Sequence, residues 1–231
     1  MCKDVGMRKF LGKIADFVMK CARNIFELLF PRDPLVLEMK QLTAAELLGR
    51  FPVAVFDPYA ARAGAPIPLF NYKNTYVKTA IWQIKYKKNT VIAEKLAQIL
   101  HGKIMEILKS HKLKKPLLIP MPISAERRRE RGYNQCELLA QHLWRLQGDE
   151  YEVVFTALRK IKDTPKQSRS AGRTARLQNI QGCFEADPRV MSGRDVIILD
   201  DVVTTGTTLN EAGKAVRMAG ASGVVKIAVA G

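Results

Sequence analysis

The chain has 231 residues and carries 38 Lys and Arg against 22 Asp and Glu, a formal net charge of +16 that points to polyanionic partners, either phosphorylated small molecules or nucleic acid. A hydrophobic content of 47% supplies a real core for one large domain or a domain with an appendage. Cys2, Cys21, Cys136 and Cys183 form no Cys-x-x-Cys pair, and there is no His-rich cluster, which argues against a zinc ribbon, a protein-held metal or a disulfide framework and suits a reducing cytoplasm. No apolar run is long enough to span a membrane and the N-terminus lacks the apolar core of a signal peptide, so a soluble protein is expected.

From the N-terminus, apolar residues recur at Met7, Phe10, Leu11, Ile14, Phe17, Val18, Cys21, Ile25, Leu28 and Leu29, the spacing of an amphipathic helix, with Lys9, Lys13, Lys20 and Arg23 mainly on its other faces. Such a basic helix packs against the rest of the chain or a second copy of it, or lies on a membrane surface or a partner. Pro31 and Pro34 close it, and Thr43-Ala-Ala-Glu46 reads as a capping box for a short second helix. A helical appendage is thus expected over residues 1–65 and the main domain over 66–231.

Pro58, Pro66 and Pro68 punctuate a loop before Leu69-Phe-Asn-Tyr72, which reads as a strand. Val77, Ala80, Ile81 and Ile84 then mark one face of a helix. Around that face Tyr72, Lys73, Tyr76, Lys78, Trp82, Lys85, Tyr86, Lys87 and Lys88 interleave aromatics with cations, as single-stranded nucleic-acid grooves do and as the wet side of a packed helix does. A further helix from about Thr90 to Leu108 carries Ile92, Leu96, Ile99 and Ile104. His101 and His111 read as surface residues without metal-ligand spacing.

Leu117-Leu-Ile119 is a short buried strand halted by Pro120-Met-Pro122. Four arginines, Arg127, Arg128, Arg129 and Arg131, then fall within five residues, ahead of Asn134, Gln135 and a helix carrying Leu138, Leu139, His142, Leu143 and Leu146. Placed after the end of a central strand, they can neutralise pyrophosphate through bidentate hydrogen bonds; a solvated charge run is the bland alternative. Val153-Val-Phe155 is the next strand. The stretch from Lys160 to Asn179 has almost no large apolar side chains, and its Lys160, Lys162, Lys166, Arg169, Arg173 and Arg176 suit a mobile lid over a polyanionic substrate, or else a basic linker. Gly182-Cys-Phe184 resumes regular structure, and Pro188 and Gly193 frame a turn into the next strand.

That strand, Val196-Ile-Ile-Leu199, has the apolar run of a buried parallel strand. Asp200 and Asp201 stand at its carboxyl end, where a doubly wound sheet opens its ligand crevice and carboxylates can accept hydrogen bonds from sugar hydroxyls. Thr204, Thr205, Gly206, Thr207 and Thr208 follow, before a helix from about Leu209 to Met218. Their hydroxyls and backbone N–H groups suit a phosphate, because a helix N-terminus favours negative charge. An ordinary turn needs neither two adjacent carboxylates nor this run of small residues. Val224 to Val229 supplies the last strand.

The Asp-Asp and Thr-Gly-Thr run resembles the phosphoribosyl pyrophosphate (PRPP) motif of type I phosphoribosyltransferases. Together with Ile119-Pro-Met-Pro122, Arg131-Gly-Tyr-Asn-Gln135 and Thr164-Pro-Lys-Gln167 with Arg176 and Asn179, it makes the chain from Leu69 to Gly231 similar to ComF-type phosphoribosyltransferase-like proteins of bacterial competence. The resemblance implies an α/β fold, a mostly parallel sheet flanked by helices, with a helical N-terminal appendage. Many family members begin with a cysteine-rich zinc ribbon, and here an amphipathic helix stands in its place. Some purine phosphoribosyltransferases carry a basic Asp directly before the Thr-Gly, where this chain has Thr204, so a purine-salvage role loses weight.

Two functions are carried forward. In the first, PRPP bound with Mg²⁺ gives its phosphoribosyl group to a nitrogen acceptor and releases pyrophosphate; Asp200 and Asp201 hold the ribose, residues 204–208 the phosphate, and Arg127, Arg128, Arg131, Asn134, Gln135, Lys166 and Arg176 the pyrophosphate. In the second, a non-catalytic protein of DNA uptake binds single-stranded DNA or a competence partner, and the PRPP site is regulatory or vestigial. A homo-oligomer fits either.

Overall fold

The computed structural model describes residues 33–55, 64–162 and 182–231. The chain divides into two units, Met1–Glu38 and Met39–Gly231, and the second holds the sheet. Helix α1 (Pro34–Gln41) begins where the Asp33 carboxylate accepts from the Leu35 N–H at 2.9 Å, with Pro34 at the first helical position. The sequence reading missed this helix and used Pro34 only as a stop. Helix α2 (Ala44–Gly49) has the expected capping box, Thr43 and Glu46 each satisfying the other's backbone N–H.

Five strands form one sheet, in the order β1 (Ile67–Phe70), β7 (Gly223–Ala230), β6 (Asp195–Val202), β2 (Leu117–Pro120), β3 (Glu152–Val153). Every pairing in it is parallel. Between the strands run α3 (Thr75–Tyr86), α4 (Thr90–His111), α5 (Ala125–Arg131), α6 (Gln135–Leu146), α7 (Pro188–Met191) and α8 (Thr207–Met218). The sheet is thus a parallel one flanked by helices, as the sequence led us to expect.

Central strands explain themselves by burial. Leu117, Leu118 and Ile119 of β2 and Val196 through Leu199 of β6 are all inaccessible, and both faces of a parallel strand must be apolar when helices cover both. Leu117, Ile119, Val196, Ile198 and Ala228 pack with Leu209, Ala212 and Val216 of α8. Truncating one of these leucines to Ala costs about 2–5 kcal/mol. On the other side α4 carries the buried Ile92, Leu96, Leu100 and Ile104. Phe51 packs edge to face on Phe70 at 5.2 Å, and Ala54 donates to the Leu69 carbonyl, so residues 51–54 border β1.

The connections reveal where a ligand belongs. From β2 the chain crosses outward to β3, whereas from β6 it crosses the other way to β7. Between β2 and β6 the winding therefore reverses, and the crevice above their carboxyl ends is the ligand position of doubly wound sheets. Register brings Pro120 level with Leu199, so the residues that follow each face one another across that crevice.

Several local expectations need correction. The arginine run, which the sequence placed in no element, is helix α5, capped by Ser124 and ended by Gly132 at φ 75°. Residues 188–191 form a one-turn helix capped by Asp187 rather than a turn. Leu158–Lys160, taken in part for the start of the lid, is strand β4, antiparallel to β5 (Phe184–Ala186) in a second small sheet. His101 is not a free surface residue; its Nδ1 lies 3.0 Å from the hydroxyl of the buried Tyr151. The proposed lid beyond Lys162, including Lys166 and Arg176, lies outside the described residues.

Candidate functional site

Strand β6 runs on past its apolar stretch because its pairing with β7 continues to Val202 opposite Ala230. Both acids therefore sit inside the strand's last residues, where successive side chains point to opposite faces. Asp200 Oδ1 accepts from the Asp201 N–H at 2.8 Å and from the Cys136 thiol at 3.6 Å. Asp201, 5% exposed, accepts the Val202 N–H at 3.0 Å on Oδ1. Its Oδ2 lies 2.8 Å from the Lys85 ammonium, close enough for an ion pair, yet receives no directed hydrogen bond.

Burial, and then the charge of Asp201, push the Asp200 carboxyl up to about 7. Burial and the same two acids raise Cys136 well above the ordinary thiol range, so it stands as a neutral donor and not a nucleophile. At Lys85 burial opposes the charge but the Asp201 carboxylate outweighs it, leaving the amine above its usual pKa. A buried carboxyl raised this far beside a second acid is the pattern of a site tuned for a ligand.

A small polar cleft follows directly after the acids, lined by Asp200 and residues 202–209. Gly206 caps α8 at φ 73° with no side-chain cap bond, and the Thr207 N–H makes only a long 3.5 Å bond to the Thr205 hydroxyl, so the start of the helix can receive an anion from the cleft. A Cβ at Gly206 would meet Pro66 Cγ at 3.1 Å, which leaves glycine as the residue that fits both the turn and the space. Thr205 and Thr207 share a hydroxyl contact at 2.9 Å, and Thr204 and Thr205 are exposed. Helix α8 starts at Thr207, two residues earlier than its apolar pattern suggested, which places Thr207 and Thr208 in the first turn.

The cationic arm is narrower than the arginine run implied. Arg131 is half-buried, donates to Gln135 Oε1 at 3.1 Å, stacks on Tyr86 at 5.3 Å and is close enough to act on the charge of Lys85. Arg128 is instead paired with Glu137, and Arg127 is exposed on α5. Asn134 is corrected outright: it is 1% exposed, with its amide N–H donating to the Met121 carbonyl at 2.9 Å and its oxygen capping α6 at Cys136. Its buried amide holds the loop to α6 rather than facing the cleft. Gln135 is buried and serves Arg131.

Lys85 is the functional residue that sequence reasoning missed. It was placed among the cations of its helix, as part of a nucleic-acid groove or of a wet helix face, but it stands four residues after the buried Ile81, on the edge of the packed stripe, where a charge calls for a partner. Tyr133 fixes this corner, donating to the Ile84 carbonyl at 2.8 Å and accepting the Lys88 N–H at 3.0 Å.

Residues 130–230 match the phosphoribosyl transferase domain family. Competence protein F of Haemophilus influenzae is 33% identical over 143 residues, 61% of either chain. The DNA utilization protein YhgH of Escherichia coli K12 is 30% identical over 145 residues, 62% of either chain, and competence protein ComFC of Bacillus subtilis is 34% identical over 98 residues, 42% of this chain and 37% of that one. The chain is similar to ComF-type phosphoribosyltransferase-like proteins. The chain spans 61–62% of the length of the first two relatives. A solved hypoxanthine-guanine phosphoribosyltransferase of Leishmania donovani is 15% identical with a TM-score of 0.37, over 60% of this chain and 71% of that one, too slight a likeness to argue from.

A hard cation fits the acids. The carboxylates of Asp200 and Asp201 offer oxygen ligands, Asp201 Oδ2 has no directed bond, and the atoms of both acids and Cys136 lie within 4.8 Å of one another. The neutral thiol suits Mg²⁺ poorly, so the two carboxylates would serve it, directly or through ribose hydroxyls. Among the described residues no helix is long and apolar enough to cross a membrane.

Proposed function

We propose that this protein binds PRPP and transfers its phosphoribosyl group to a nitrogen acceptor, releasing pyrophosphate. The observation that carries the reading is Asp200, which lines one small polar cleft with residues 202–209 while the neighbouring Asp201 pairs with Lys85. Asp200 and Asp201 accept the ribose hydroxyls and fix C1 of the sugar. Thr204, Thr205, Gly206, Thr207 and Thr208 hold the 5-phosphate. As the C1–O bond breaks and the C1–N bond forms, Arg131 and Lys85 face the charge gathering on pyrophosphate, Lys85 leaving Asp201 as the ribose takes its place. Bound with PRPP, Mg²⁺ would add neutralisation of the leaving group. No covalent step on the protein is needed, which accords with the neutral state of Cys136. Thr204, where a basic Asp would serve a purine enzyme, argues for a different acceptor.

Pyrophosphate release from PRPP in the presence of a panel of nitrogen acceptors tests the transfer. Release that depends on one acceptor and disappears in Arg131→Ala supports it; no release with any acceptor refutes it.

A second reading, single-stranded DNA binding, is favoured by one specific feature. Trp82 and Tyr86 are 46% and 55% exposed, lie 5.8 Å apart, and carry Lys87 over Trp82 at 5.3 Å and Arg131 over Tyr86. Exposed rings flanked by cations are what stacking on unpaired bases requires. The relatives named for competence and DNA utilization point the same way.

A further inference from the structure

Behind the phosphate loop lies a buried lysine that the reaction above does not use. Lys226, in the middle of β7, is 3% exposed, and its ammonium donates to Asn210 Oδ1 at 2.6 Å. Asn210 stands in the first turn of α8; its N–H donates to the Gly206 carbonyl at 2.9 Å, and its Nδ2 lies 3.6 Å from where a Cβ on Gly206 would be. The helix makes room for this lysine. A Cβ on Gly213 would come within 3.0 Å of Lys226 Cδ, so the helix carries a glycine, a poor helix former, where the lysine stem lies against it.

The charge itself is poorly matched in the free protein. Around Lys226 stand Ile198 beside it on β6, Ile67 of β1 opposite the next residue Ile227, and Asn210, Gly213 and Arg217 on α8. Arg217 is the charged one among them, and it has the same sign. Burial, and then Arg217, bring the lysine down to about 8. Among the described residues no carboxylate pairs with it. A buried ammonium with one neutral acceptor is expensive unless an anion comes near.

We propose that Lys226 is a positioning residue of the phosphate loop: through Asn210 it steadies the Gly206 turn, and its charge is the buried counter-charge of the bound 5-phosphate. The inference rests on the reading that the Thr204–Thr208 loop takes that phosphate. It goes beyond that reading in giving the loop a layer in the sheet behind it and a dependence on pH. A phosphate dianion favours the charged amine, so affinity should fall as pH rises through the lysine's titration.

Calorimetric titration of ribose 5-phosphate into wild type and Lys226→Met between pH 6.5 and 9.5 tests it. Taking the affinity ratio at each pH cancels the titrations of Asp200 and of the sugar phosphate. The ratio should be roughly tenfold in favour of wild type near pH 7 and close to one at pH 9.5. A ratio of one near pH 7, or one constant across the range, leaves Lys226 a packing role only and overturns the inference. A second readout needs no variant: at pH 8.5 wild type should take up protons on binding, seen by titrating in buffers of different ionisation enthalpy, and no uptake contradicts the proposal. Failure of wild type to bind ribose 5-phosphate at any pH instead removes the phosphate-loop reading, and this inference with it.

Discussion

At the scale of single residues, the site sets binding against stability. Asp200 is held with its carboxyl raised from 3.8 to about 7, mostly by burial. A raised acid favours the protonated fold, so its contribution is intact below the ordinary carboxyl range and is lost as pH climbs towards 7. Asp200→Asn should therefore melt higher than wild type at pH 8, by a stability on the order of 2 kcal/mol, with the gain shrinking steadily towards pH 5. Thermal melts across that range check this; a difference independent of pH, or of opposite sign, contradicts the assignment. Ribose and metal prefer the ionised acid, so PRPP affinity should rise from pH 5.5 to 7. Gly206→Val should retain the fold and lose PRPP affinity by tenfold or more, since φ 73° and Pro66 at 3.1 Å leave no place for a branched side chain in the turn. Circular dichroism and calorimetry together decide it, and unchanged affinity would mean that the loop holds no phosphate.

At the scale of elements, the Arg131-Gly-Tyr-Asn-Gln135 run works as a joint. Gly132 ends α5, Tyr133 clasps the end of α3, and Asn134 ties the Met121 loop to α6. Tyr133→Phe should cost about 1–2 kcal/mol from the two lost hydrogen bonds and weaken PRPP binding several-fold, because Lys85 and Arg131 lose their shared anchor. Equal affinity with lower stability would make the joint purely structural. Much of this architecture was legible in the sequence. Apolar runs marked β2 and β6, 3.6-residue spacing marked α3, α4 and α6, and the acids followed by Thr-Gly-Thr marked the crevice. What escaped had a physical reason. Helix α5 has no buried residue to betray it and is set by its caps alone; Asn134 reads as a ligand when its amide is in fact spent on the fold; and the partnership of Lys85 with Asp201 joins residues far apart in the chain.

At the scale of the whole molecule, the net charge of +16 has two candidate outlets, the crevice between β2 and β6 and the aromatic, lysine-rich end of α3. If the second outlet binds single-stranded DNA, affinity should fall steeply with salt through counterion release, and Trp82→Ala should weaken it roughly tenfold at constant salt while leaving PRPP affinity unchanged. Fluorescence anisotropy of a labelled oligonucleotide reads both effects; salt-insensitive binding, or no effect of the variant, removes that surface. The central claim is the PRPP site, and titration calorimetry of PRPP with Mg²⁺ into wild type and into Asp200→Asn with Asp201→Asn tests it most directly. Wild type should bind and the folded double variant should not. No heat from wild type at millimolar PRPP, or equal affinity in the two proteins, would contradict it.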